Sequence, residues 1–215
     1  MKSEKNEKQV LERILTIKQM IQEGRGGPLE LHELGICYYL IENFRSASKF
    51  LAELAGKYPD YVEIASVQSL RCYCLVQEGE LLEAELLLKE RIPRDPSNTT
   101  LLGLLAHIQE KTHRIQEAIA THKRIIGIDP GNINSRNSIG CLLAEHGTPA
   151  DYPEAMEHLR IAVSNKPEHP AYLDSLGILL ARQGDRDRAR RAFVKALSRS
   201  PANTVILDHL KDMIG

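Results

Sequence analysis

The chain has 215 residues, of which 42% are hydrophobic and 27% are charged, and its formal net charge is −1 at pH 7. This composition is typical of a soluble globular protein, and so small a net charge provides no overall field to attract nucleic acid or an acidic membrane. No stretch reaches the roughly 20 apolar residues that a membrane span requires, and residues 1–8 lack the apolar core of a signal peptide.

The first predicted element is an amphipathic helix over residues 5–23. Its apolar residues recur at spacings of four, three and four, at Val10, Ile14, Ile17 and Ile21. This spacing places them on one helix face, which must be covered. Glycines before Pro28 break the helix and form a hinge, so residues 1–27 are treated as a separate segment. Two coverings remain open: docking on the next helices as a cap, or pairing with a second copy of the chain.

After this segment, an alanine followed twelve residues later by a proline recurs five times. The pairs are Ala47 and Pro59, Ala84 and Pro96, Ala118 and Pro130, Ala155 and Pro167, and Ala189 and Pro201. Successive alanines are 37, 34, 37 and 34 residues apart. A single globular core gives no reason for a fixed spacing, so this part of the chain is predicted to be a stack of similar repeats.

These spacings resemble the tetratricopeptide repeat, or TPR. Its pattern places Leu-Gly-x2-Tyr on a first helix, Ala-x3-Phe on a second helix and a proline at the end. The closest match in the chain is the last complete repeat, which reads Leu176-Gly177-x2-Leu180, Ala189-x3-Phe193 and Pro201. The family's tryptophan is absent from every repeat, and Cys72 and Ala106 replace the glycine of repeats two and three.

The resemblance implies an all-α fold, a right-handed α-solenoid of antiparallel helix pairs with an N-terminal helix and a C-terminal capping helix. The five repeats are predicted within residues 28–202, at about 28–61, 62–97, 98–131, 132–168 and 170–202. Residues 203–215 contain Val205, Ile206, Leu207 and Leu210. These apolar side chains predict one terminal helix that covers the fifth repeat.

The glycines have steric roles in this prediction. Those expected where paired helices cross, so that the backbones can approach, are Gly35, Gly140 and Gly177. Those expected to end first helices in a left-handed conformation are Gly79, Gly147 and Gly184. Extra residues at 148–150 predict an enlarged turn in repeat four, and a longer entry is expected near residues 60–64. Both are tolerated insertions, with a partner contact by residues 148–153 as the alternative.

The sequence contains no recognisable catalytic pattern. A phosphate-binding Gly-rich loop, a nucleophile elbow and a His-Glu-x-x-His motif are all missing. His107, His113 and His122 are spaced six and nine residues apart, so they do not share one helix face, and we expect them at the surface. We therefore predict a protein that is not an enzyme and that needs no cofactor.

The cysteines indicate a reducing compartment. They are Cys37, Cys72, Cys74 and Cys141, all on predicted first helices. Cys72 and Cys74 are two residues apart, so they point to different sides of a helix and cannot bind one metal ion together. Free thiols packed among helices are the expected arrangement, which favours a cytoplasmic location.

The resemblance also implies that first helices line the concave surface on which TPR proteins bind partners. The residues predicted to face this groove are His32, Ile36 and Tyr39 in repeat one, Ser69, Tyr73 and Val76 in repeat two, Gly103, His107 and Glu110 in repeat three, Asn137, Cys141 and Ala144 in repeat four, and Asp174, Ile178 and Ala181 in repeat five. The N-terminal members are the more apolar, and an exposed apolar patch is typical of a contact surface. Burial of this patch by the N-terminal helix is the alternative.

These patterns predict a protein-protein interaction module, an adaptor or scaffold that holds a peptide segment or helix of a partner in the concave groove. The alternative is a self-associating or structural subunit of a larger bacterial assembly or secretion apparatus. The last repeat is locally basic between Arg182 and Arg199, but Asp185 and Asp187 partly offset it. A solvated face is therefore favoured over a site for an anionic partner, and no nucleic acid is expected.

Overall fold

The computed structural model describes residues 2–214. Within this range the chain contains twelve α-helices and one 3-10 helix, and it contains no β-strand. The chain divides into two compact units between residues 104 and 105, within the helix Thr99–Lys111; they are here called the N-terminal half and the C-terminal half. The first six helices are α1 (Lys2–Gln22), α2 (Pro28–Leu40), α3 (Phe44–Lys57), α4 (Ile64–Glu78), α5 (Leu81–Arg91) and α6 (Thr99–Lys111). The others are α7 (Ile115–Ile128), α8 (Ile133–His146), α9 (Tyr152–Asn165), α10 (Pro170–Arg182), α11 (Arg186–Arg199) and α12 (Thr204–Ile214), with the 3-10 helix Pro149–Asp151 before α9.

Glycines allow the close crossing of three helix pairs. A Cβ added to Gly35 of α2 would lie 2.5 Å from Leu51 of α3, and one added to Gly177 of α10 would lie 2.6 Å from Phe193 of α11. Gly140 has the same relationship to Leu159, at 2.5 Å. Each large side chain therefore occupies the space that a side chain at the glycine would need.

The N-terminal helix docks on the first helix pair. Ile14 and Ile17 of α1 are buried together with Leu34 of α2. At the edge of this contact, the Arg13 guanidinium donates to both carboxylate oxygens of Glu33, at 2.6 and 2.7 Å. The apolar face of α1 is thus covered by the same chain.

The other terminal helix covers the last pair. Ile206 of α12 is buried in a cluster with Phe193 and Leu180. The Asn203 side chain accepts a hydrogen bond from the Ile206 backbone N–H at 3.2 Å, which caps the start of α12. This helix packs on α11, the second helix of the last pair.

The turns that end the first helices differ from the prediction at one position. Gly79 and Gly184 have left-handed φ angles of 79° and 82°, as expected. The prediction was wrong for Gly147, whose φ of −81° and ψ of −180° are extended. The inserted residues explain the difference, because Thr148 and Asp151 cap the 3-10 helix that begins directly after Gly147.

The corresponding turns of repeats one and three carry no glycine. Glu42 and His113 occupy these positions, and both have a left-handed φ of 57°. Their backbone N–H groups bond to Tyr39 and Glu110 respectively, in the pattern that Gly79 makes with Val76. The same left-handed turn therefore forms at Glu42 and His113, although a side chain makes this conformation less favourable than it is for glycine.

Candidate partner-binding surface

Three aromatic rings form a cluster on the N-terminal half. Tyr39 is the last α2 residue predicted to face the groove, and Tyr73 lies one repeat later on α4. Their ring centroids are 5.7 Å apart and their planes meet at 78°, an edge-to-face arrangement. Phe44 is 6.2 Å from Tyr39 and 6.1 Å from Tyr73. All three rings are half-buried, so each keeps part of its surface available.

A cavity of about 560 Å³ lies beside this cluster. Two predicted residues from α4, Ser69 and Tyr73, line it together with Tyr39. Arg91, at the end of α5, and Thr100, on α6, also line the cavity and contribute polar groups. The Ser69 hydroxyl donates to the Ala65 carbonyl oxygen at 2.9 Å, which holds it along its own helix.

The other predicted residues of this half are covered to different degrees. Ile36 remains 36% exposed, whereas Val76 is buried. His32 is also buried, and its Nδ1 lies 3.2 Å from the Tyr61 hydroxyl. Burial raises the pKa of Tyr61 above its usual value. His32 and Val76 therefore contribute to packing, and Ile36, Tyr39, Ser69 and Tyr73 are the residues of this set that a partner can reach.

In the C-terminal half, two predicted residues of α6 have contrasting surroundings. His107 is exposed. Glu110 is half-buried, and its Oε1 lies 2.8 Å from Nε2 of His122 on α7. The expectation that His122 lies at the surface was wrong: it is buried, and its Nδ1 is 3.1 Å from the Ser135 hydroxyl on α8. This histidine links three helices through polar contacts that sequence spacing does not reveal.

Asn137 and Cys141 lie on α8 and are both half-buried. The Asn137 Oδ1 atom is buried and has no hydrogen-bond partner. The Cys141 thiol lies 3.6 Å from Glu145 Oε1, and burial raises its pKa to about 12. It is therefore a neutral thiol near neutral pH and a poor nucleophile.

Asp174 and Ile178 lie on α10 next to the capping helix. The two Asp174 carboxylate oxygens are 3.0 and 3.1 Å from Nδ1 of His209 on α12. Burial raises the pKa of Asp174, while the contact with His209 lowers it in part. Ile178 is half-buried against the core of the last two helix pairs. The Asp174 carboxylate therefore already has a partner within the chain, His209 of the capping helix.

Sequence reasoning missed Phe44 and Arg91. Phe44 begins α3, a second helix, whereas the residues predicted to face the groove all lie on first helices. Arg91 lies seven residues after Ala84, one of the five recurring alanines, here called the marker alanines. Its position in the repeat could therefore have indicated it. Among residues 7–213, whose side chains the structure describes, no group of three or more His, Cys, Asp or Glu is placed to hold a metal ion.

Comparison with known proteins identifies the architecture. No protein-family model matches the chain. A solved tetratricopeptide repeat protein from Parabacteroides merdae is 17% identical and superposes with a TM-score of 0.74, covering 86% of this chain and 72% of that one. YrrB, described as a TPR protein with an unusual peptide-binding site, is 16% identical with a TM-score of 0.66, covering 91% and 97%. This chain has the tetratricopeptide repeat fold.

The all-α TPR prediction is therefore confirmed. A curated TPR repeat-containing protein of Pseudomonas aeruginosa is 27% identical over 159 residues, which make up 74% of this chain and 26% of the relative. The chain thus spans about a quarter of the length of that relative. In the range covered by the structure, none of the TPR helices combines the length and the apolar character that a membrane crossing needs.

Proposed function

We propose that this TPR chain is a non-enzymatic interaction module that binds a peptide segment or a helix of a partner protein on the first helices of its repeats. The observation that carries the proposal is the half-buried cluster of Tyr39, Phe44 and Tyr73 beside its cavity. Tyrosine offers a large contact area at a small entropic cost and is enriched among the residues that dominate binding energy. YrrB, which has the same fold, is described as having a peptide-binding site.

The binding mode follows from the chemistry of this surface. An apolar side chain of the partner would be buried between Tyr39, Tyr73 and the exposed part of Ile36. Aromatic pairs prefer edge-to-face geometry, and a further apolar side chain would pack on the part of these residues that stays exposed. In the C-terminal half, His107 and Asn137 are the residues proposed to select polar groups, and the side-chain NH2 of Asn137 would act as a donor.

Affinity capture from a native lysate tests this proposal. The bait would be the full chain, compared with a Tyr39→Glu, Tyr73→Glu double variant that circular dichroism shows to be folded. The control is Leu82→Glu, because Leu82 of α5 is 76% exposed and lies outside the cavity. We expect a partner captured by the parent and by the control, and lost by the double variant. Equal capture by all three chains would place the contact elsewhere.

A specific observation supports self-association as a second candidate function. Leu11 and Leu15 of α1 remain 45% and 69% exposed, one turn apart, after Ile14 and Ile17 have docked. Two exposed leucines on one face can pair with a second copy of the helix. A Leu11→Glu, Leu15→Glu variant should then halve the mass measured by light scattering. A parent chain that is monomeric at all concentrations excludes this candidate.

A further inference from the structure

Arg91 differs in chemistry from the residues at the equivalent position of the other repeats. The residues that lie seven positions after the five marker alanines are Leu54, Arg91, Ile125, Ala162 and Ala196. The four apolar members are at most 1% exposed and belong to the core. Repeat two therefore places a guanidinium where every other repeat places an apolar side chain.

Part of the Arg91 guanidinium is buried without a partner. The residue is only 8% exposed, and its Nε is buried without a hydrogen-bond partner. Among the described side chains, none forms an ion pair with it. A buried charge without a partner is costly, and an apolar residue of similar volume at this position would be cheaper. Fold stability alone does not account for an arginine here.

Arg91 lines the cavity beside the aromatic cluster. One acidic residue, Asp95, also lines this cavity, but its Oδ2 accepts a hydrogen bond from the Asn98 side chain at 2.9 Å. The remaining polar lining consists of neutral groups such as Ser66 and Thr100. The cavity lining therefore combines one arginine, and one aspartate that already accepts a hydrogen bond, with two tyrosines, Tyr39 and Tyr73.

We propose that Arg91 binds the side-chain carboxylate of an Asp or Glu in the partner segment, next to the apolar residue that packs on Tyr39 and Tyr73. This inference rests on the proposed function, because it names the chemistry of the segment bound at that surface. The planar guanidinium matches a carboxylate and can donate two parallel hydrogen bonds to it. A side chain can reach into the cavity while the partner's backbone stays outside in water, where its own polar groups are satisfied.

Peptide binding to the full chain tests this assignment. The probe is a library of short random peptides with acetylated and amidated ends, so that a terminal carboxylate is absent. We expect the selected peptides to carry an Asp or Glu at a fixed distance from an aromatic or apolar residue. Replacing that Glu by Gln in a resynthesised peptide should weaken binding by about 10- to 100-fold, the effect of losing a hydrogen-bonded charge pair.

Variants of the protein separate the role of Arg91 from that of the aromatic surface. Arg91→Leu should bind the Glu and Gln peptides equally, while the control Arg94→Leu, which alters an exposed arginine outside the cavity, should keep the preference. Arg91→Leu should unfold at the same or a higher temperature than the parent, because Leu54 fills the equivalent position of repeat one. Arg91→Gln serves as a second variant that retains polarity and should also lose the preference.

Three results would overturn the inference. They are selected peptides without an acidic residue, a Gln peptide that binds the parent as tightly as the Glu peptide, and an Arg91→Leu chain that keeps the parent's preference. If Tyr73→Ala weakens every peptide under any of these results, the aromatic surface is still the binding site and only the role of Arg91 fails. If no peptide binds, or if Tyr73→Ala changes nothing, the proposed function fails as well.

Discussion

Tyr39 and Tyr73 lie edge to face with ring centroids 5.7 Å apart, although 34 residues separate them in the sequence. Each belongs to the first helix of a repeat, and stacking of two successive helix pairs brings the rings together. The contact therefore depends on the repeat register. A surface of this kind is preorganised, because the core beneath it fixes the helices before a partner arrives.

The glycines at helix crossings should tolerate no side chain. Gly35→Ala and Gly177→Ala place a methyl group at 2.5 and 2.6 Å from Leu51 and Phe193, so each should lower the free energy of unfolding by about 1–3 kcal/mol. Gly103→Ala is the control, because a Cβ there meets no atom within 4 Å. It should raise stability by up to about 1 kcal/mol through helix propensity. Urea titrations followed by circular dichroism measure all three, and similar losses for Gly35 and Gly103 would contradict the account.

The left-handed turns offer a route to a more stable protein. Glu42→Gly and His113→Gly should each raise the free energy of unfolding by about 1 kcal/mol, since glycine adopts a φ of 57° without strain. Gly79→Ala, at the equivalent turn with a φ of 79°, should lower it by a similar amount. Thermal unfolding of the three variants checks the signs. A destabilised Glu42→Gly chain would show that the Glu42 side chain makes a contribution beyond its backbone.

The stability of the C-terminal half should depend on the protonation of His158. Burial lowers the pKa of His158 in the folded chain, despite the opposing effect of Glu154, whose Oε1 is 3.8 Å from Nε2. The unfolded chain therefore binds a proton first as the pH falls below about 6.5, and stability is lost from there down through the folded pKa.

Denaturant titrations at several pH values measure this dependence. The informative quantity is the difference in the free energy of unfolding between the parent and His158→Gln, which isolates the contribution of this side chain. Between about pH 7 and pH 5, the parent should lose more of its free energy of unfolding on acidification than the variant does. Two parallel curves would mean that His158 does not titrate differently in the folded chain.

Docking of α1 should depend on one face of the helix. Ile17→Ala should destabilise the contact by about 2–4 kcal/mol, because Ile17 is fully buried, whereas Leu15→Ala should change stability by less than about 0.5 kcal/mol. Hydrogen exchange locates the effect, since amides of α1 should exchange faster in the first variant and at the parental rate in the second. Equal exchange in both would show that α1 is held by other contacts.

Much of the fold could be predicted from the sequence because it repeats. Gly35 with Leu51 and Gly177 with Phe193 lie at the same offsets in their repeats, so one steric rule applies to each pair. Gly147 departed from the rule where the insertion changes the turn. Local spacing was therefore sufficient wherever the structure is itself periodic.

The candidate site was less predictable, because its surroundings are set by residues outside the periodic pattern. Asp174 is bonded by His209, which belongs to the capping helix. His122 is buried by contacts with Glu110 and Ser135 on neighbouring helices. Arg91 lies on a second helix and reaches the cavity from its end. Such contacts depend on how helices pack, and the spacing along one helix does not specify them.

Hydrogen-deuterium exchange of the full chain, with and without a captured partner or a selected peptide, tests the central claim most directly. Binding at the aromatic surface should slow exchange in α2 and α4, and the slowing should disappear with the Tyr39→Glu, Tyr73→Glu variant. The Leu82→Glu control should retain it. Protection confined to α1 or α11, with no change in α2 and α4, would contradict binding at Tyr39 and Tyr73.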